Sequence, residues 1–195
     1  ETYAQLVKKE INKESFHQIS LAGDLSGKII DHARSYFVNW QPDYIIVGIG
    51  INDARPNSLN ITLQDYFLFS KLLKFKVFQN FINWFSLKFY NKPNSTTNID
   101  FFTKKIAQLN NTFKKSKILW LEISCGKDYE LSRPGVLELK NLFNKKLIEI
   151  YGENFIKLEK IFNGKKVYNS DNLHLNRTGH KIISEEILKK LALNK

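Results

Sequence analysis

Residues 44–50 read YIIVGIG, an unbroken apolar run rich in β-branched side chains. A strand with one wet face alternates apolar and polar residues. A run without that alternation suits a strand buried on both faces of a parallel sheet. The same signal recurs outward from it. Residues 117–124, KILWLEIS, form a second apolar run, and NFIKLEK (154–160) suits a short edge strand. FHQISLAG (16–23) reads as a further short strand ending at Gly23. Helical spacing runs through 3–13 on Tyr3, Leu6, Val7 and Ile11. It runs through 26–40 on Ile29, Ile30, Ala33, Tyr36 and Phe37, and Gln41-Pro42-Asp43 stops it. Further helices are predicted over 98–115, 134–150 and 179–193. Strands alternating with helices predict an α/β layer fold around a mainly parallel sheet.

The chain has 195 residues, which suits one domain over 1–195 with a real core. No repeat or linker divides it, and NKPNSTTN (91–98) reads as a polar loop. The net charge of +11 favours anionic partners such as phosphate, acidic glycan or an anionic membrane face. The same charge equally suits a lysine-rich solvated surface. For nucleic acid there is charge but no module signature. Cys125 is the single cysteine, which excludes an intramolecular disulfide and a zinc cluster of paired cysteines. Within EISCGK it reads as a small buried hydrophobe.

Residues 62–90 break the rhythm of the chain. They are long, aromatic and basic, and Lys71, Lys74 and Lys76 interrupt them, so the segment is no membrane span. It reads as part of a helical insertion over about 58–97. Three roles fit: a hairpin packed on the core, a cap over a site, or an interfacial helix facing an acyl chain or anionic membrane surface.

Three groups of residues carry chemistry. GIGINDAR follows the strand at 44–50, and in an open α/β sheet functional groups collect at the carboxyl ends of strands. The Asn52 amide can donate two hydrogen bonds, and aimed at a carbonyl oxygen it would stabilise an oxyanion. Ile51 and Asp53 beside it are candidate substrate contacts. Asn and Asp are also common turn residues. Gly23 ends another strand, where a glycine lets the backbone approach a ligand and offer its N–H. In DNLHLNRTGH (171–180), Asp171 stands three residues before His174. A carboxylate there can bond one ring nitrogen and leave the other free to act as a base. It can also simply cap a turn. Thr178 is the better N-cap for the last helix, which leaves Asp171 without that duty.

Taken in order, AGDLSGKIIDHAR, GIGIND and DNLHLNRTGH resemble the glycine, GxND and DxxH blocks of the SGNH (GDSL-type) hydrolase family. The resemblance covers nearly the whole chain. It implies a three-layer α/β/α, flavodoxin-like fold, with His174 as general base and Asp171 orienting it. It also implies Gly23 N–H and the Asn52 side chain as oxyanion donors, and chemistry needing no metal or organic cofactor.

The family's nucleophile block, Gly-Asp-Ser after the first strand, is not matched. GDLS at 23–26 carries Leu25 where the serine should stand, and the interval from Gly23 to Gly50 fits the second and third blocks. The serine and the first, central strand are therefore expected upstream of Glu1. The resemblance implies a serine esterase acting on a small-molecule or glycan ester through an acyl-enzyme. One rival is an acyltransferase passing the acyl group to a sugar hydroxyl. Another is a non-catalytic basic domain binding anionic glycan or membrane.

Overall fold

The structure is a computed structural model that describes residues 1–11, 16–21, 23–56 and 95–192. The expected insertion over 62–90, with the membrane surface assigned to it, lies outside these residues. So does most of the wider span 58–97.

Three strands form one parallel sheet: β1 (Tyr44–Val47), β2 (Lys117–Leu121) and β3 (Phe155–Ile156), in the order β1-β2-β3. Tyr44 pairs with Lys117 through to Val47 with Trp120, and Leu121 pairs with Ile156. Among the described residues the helices are α1 (Tyr3–Ile11), α2 (Ser26–Phe37), α3 (Ile99–Thr112), α4 (Tyr129–Ser132), α5 (Val136–Tyr151), α6 (Leu158–Phe162) and α7 (Arg177–Ala192).

Strand alternation divides the core into two halves. Ile118 and Trp120 face α2, α3 and α5, where they meet Ile30, Phe102, Ile106, Phe143 and Leu147. Leu119 and Leu121 face α1, α6 and α7, where they meet Val7, Leu158, Phe162, Ile183 and Ile187. β2 is thus covered on both faces, which is why its sequence shows no polar alternation. The architecture is three-layer α/β/α. The first half is aromatic: Phe102 and Phe143 lie with ring centroids 4.8 Å apart, and Trp120 stacks on Tyr151 at 5.3 Å. Such pairs add about 0.5–1.5 kcal/mol each beyond their burial.

Most helices and strands follow the predicted periodicity, but of NFIKLEK (154–160) only Phe155–Ile156 is strand while Leu158–Lys160 open α6, α4 lies where no helix was predicted, and the strand expected over 16–23 is not formed among the described residues. Residues 16–21 join no strand ladder. Among the described residues no backbone hydrogen bond links them to 44–48. Their composition suits a strand, but a strand exists only where a neighbour accepts its bonds. A cavity separates them from β1.

Candidate active site

The chain leaves β1 into a tight turn. Gly50 has φ +120°, and a Cβ there would stand 2.6 Å from Ile123 Cδ1, so only glycine fits. The Ala54 N–H closes the turn on the Gly50 carbonyl at 3.0 Å. Asn52 projects from it, half-buried, and its Nδ2 donates to the Asp24 carbonyl at 3.3 Å. That bond brings the Gly23-Asp24 turn beside Asn52. Gly23 has φ +73° and nothing within 4 Å of where a Cβ would sit, so one side of it is open. The Asn52 amide keeps a second N–H for a ligand.

Asp53 does not face the cleft. It is fully buried and accepts from Ser26 N (2.9 Å), Ser26 Oγ (2.6 Å) and Thr97 Oγ1 (2.8 Å). The carboxylate is consumed in tying the β1 turn to the start of α2 and to the residues before α3. This corrects its reading as a substrate contact: a buried carboxylate must find donors inside the protein. Ser26 of GDLS is likewise committed to Asp53 and buried. Thr97→Val keeps the shape and removes one donor. It should cost about 1–3 kcal/mol of stability by leaving a buried oxygen short of a partner; chemical denaturation would measure it.

Asp171 and His174 meet in the turn before α7. Asp171 Oδ1 accepts from the Leu173 and His174 N–H groups, each at 3.0 Å. Its Oδ2 meets His174 Nδ1 at 2.6 Å. Asp171 therefore caps the turn and orients the ring at once, leaving Nε2 as the free nitrogen. The side-chain bond to His174 leads, with the two backbone N–H groups, in lowering the Asp171 carboxyl from 3.8 to about 2. Because the folded value is depressed, the interaction is fully present above 3.8 and is lost as pH falls through about 2. An NMR titration of the Asp171 carboxyl carbon should find a midpoint near 2, moved upward in His174→Ala.

The turn is anchored from below. Gly126, beyond the carboxyl end of β2, donates its N–H to the Asn172 carbonyl at 2.7 Å. A Cβ on Gly126 would stand 2.5 Å from Asn172 Oδ1. The N-cap of α7 is Asn176, whose Oδ1 accepts from the Gly179 N–H at 3.0 Å, and not Thr178, which lies inside the helix.

Packing joins the two turns. Ile51 and Leu173, the neighbours of Asn52 and His174, both pack on the buried cluster of Cys125, Tyr129 and Val136. Gly23, Asn52, Asp171 and His174 thus share the carboxyl end of the sheet. Ile51, half-buried, belongs to this support as much as to the cleft. Cys125 is buried, and burial pushes its thiol up, away from the reactive thiolate. Among the described residues no cluster of three or more His, Cys, Asp or Glu side chains is placed to hold a metal. The anchors Ser26, Thr97, Gly126 and Asn172 carry no sequence signal that marks them, since each acts through a distant partner.

No family model and no curated protein sequence matches the chain. Solved structures do. A lipase/acylhydrolase from Enterococcus faecalis matches with a TM-score of 0.62 at 13% identity, over 97% of this chain and 84% of that one. A GDSL-like lipase from Bacteroides thetaiotaomicron matches at 0.63 and 13%, over 99% and 82%. A phospholipase A1 from Streptomyces albidoflavus matches at 0.60 and 12%, over 97% and 85%. The chain has the flavodoxin-like α/β/α fold of the SGNH, or GDSL-type, hydrolases.

Proposed function

We propose that the protein is a serine esterase of the SGNH type that hydrolyses an O-acyl ester, with acetyl esters on carbohydrate as the leading substrate class. The observation that carries this reading is the 2.6 Å contact between Asp171 and His174 Nδ1, at the same end of the sheet as Asn52. Such a pair holds the ring in one tautomer and leaves Nε2 to take a proton. In this reaction His174 accepts the proton of a serine hydroxyl, and the serine oxygen attacks the ester carbonyl. The resulting oxyanion is held by the Asn52 amide and the Gly23 N–H. His174 then returns the proton to the departing alcohol, leaving an acyl-serine. Water attacks that ester, His174 taking its proton, and the acid leaves as the serine is restored.

The test uses the full-length protein with short p-nitrophenyl esters and an O-acetylated polysaccharide. Hydrolysis of the short ester, acetate release from the glycan and labelling of one serine by a fluorophosphonate are the expected results. If no ester is turned over, the reading fails. Transfer of acetyl to an added glycan, in place of acetate release, would identify an acyltransferase instead.

A further inference from the structure

We infer that Asn176 is a positioning residue for His174: its side-chain amide clamps the neck of the loop 168–175, which carries the Asp171–His174 pair, and so fixes where that pair stands at the end of the sheet. Its effect on turnover rests on the esterase reading; the clamp itself does not. His174 needs such support. Its side chain is 73% exposed, and among the described residues it hydrogen-bonds only Asp171, on the same loop. A pair held together locally is free to move as a unit. Its place relative to Asn52 is therefore set by the backbone beneath it.

Backbone and side-chain bonds close the neck of the loop. Tyr168 and Leu175 face each other in an antiparallel bridge. The Asn169 N–H donates to the His174 carbonyl at 2.8 Å, and the Asn176 N–H to the Val167 carbonyl at 2.9 Å. The Asn176 amide then adds bonds in two directions. Its Nδ2 donates to the Lys166 carbonyl at 3.0 Å and to the Tyr168 carbonyl at 3.2 Å. Its Oδ1 accepts from the Gly179 N–H at 3.0 Å. Both amide protons and an acceptor site are thereby used. Capping α7 needs the Oδ1 alone, and serine or aspartate would serve equally well. The two Nδ2 bonds are what a cap does not explain. They tie the residues entering the loop to the first turn of α7. The fit there is close: a Cβ on Gly179 would stand 2.5 Å from the Val167 carbonyl oxygen. α7 is itself fixed in the core through Ile183 and Ile187, both buried. The clamp thus passes the rigidity of α7 to the loop. At its tip the loop docks on the sheet, where the Gly126 N–H meets the Asn172 carbonyl at 2.7 Å. With the neck loosened, that bond and the packing of Leu173 are left to hold His174 in place.

Asn176→Ser separates the clamp from the cap. Serine is as good a helix N-cap, but it has no amide to reach the two carbonyls. In the full-length protein this variant should lower kcat for a short p-nitrophenyl ester by about 10²-fold, with KM nearly unchanged, because a small displacement of the base acts on the reacting geometry. Amide hydrogen exchange at Gly126 should quicken by about 10-fold, as the loop tip leaves the sheet more often. Asn176→Ala should show both effects and a larger fall in Tm, since it loses the cap as well. Wild-type kcat in Asn176→Ser overturns the proposal, because Asn176 is then a helix cap alone. So does unchanged exchange at Gly126, because the loop is then held without the clamp. If the wild-type protein turns over no ester, the esterase reading fails separately. Exchange at Gly126 then decides the clamp by itself: quickened exchange in Asn176→Ser keeps it, and unchanged exchange removes it.

Discussion

Replacing His174 with alanine in the full-length protein should lower hydrolysis of a short p-nitrophenyl ester by about 10⁴-fold or more. The ring is the only part of the pair that can carry the proton from the nucleophile to the leaving alcohol. Its side chain is 73% exposed, so its removal takes little from the core, and Tm should not move appreciably. Asp171→Asn separates orientation from proton transfer. An amide beside Nδ1 can donate where the carboxylate accepts, which allows the ring its other tautomer and puts a proton on the nitrogen that should be free. A loss of comparable size is expected, about 10⁴-fold. Because the Asp171 carboxyl titrates at about 2, its own ionisation should not shape the activity profile above pH 4. Retained hydrolysis in His174→Ala would remove the histidine from the mechanism altogether.

Asn52→Ala should lower turnover by about 10²–10³, equivalent to about 2.7–4 kcal/mol of transition-state stabilisation, with little change in KM. The split follows from where the charge appears. The substrate carbonyl gains its negative charge only as the tetrahedral intermediate forms, so a donor aimed there acts mainly on kcat. Asn52 also donates to the Asp24 carbonyl at 3.3 Å, which holds the amide in one orientation. Asn52→Asp keeps the shape, removes the donor and brings a negative charge beside the forming oxyanion, so it should be at least as damaging. A change confined to KM would make Asn52 a binding residue. A large drop in Tm would make it a structural one.

Local sequence carried the elements that organise this fold. YIIVGIG and KILWLEIS announced buried parallel strands because both of their faces meet core, and the helices between them kept a 3.6-residue period for the same reason. The Asp171–His174 contact was also legible, since three residues of separation on one turn bring the two side chains together without help from elsewhere. FHQISLAG has a strand's composition and is not one here, because strand formation depends on a partner and composition records none. Asp53 looked like a cleft residue from its place beside Asn52. Its burial depends on Ser26 and Thr97, which lie 27 and 44 residues away in sequence. That the turns carrying Asn52 and His174 lie at one end of the sheet likewise depends on Ile51 and Leu173 packing on Cys125, Tyr129 and Val136. Periodicity and turn chemistry act between near neighbours in the chain. Hydrogen-bond partners and side-chain contacts across a core are chosen by the packed structure, and so the site's supports became visible only in three dimensions.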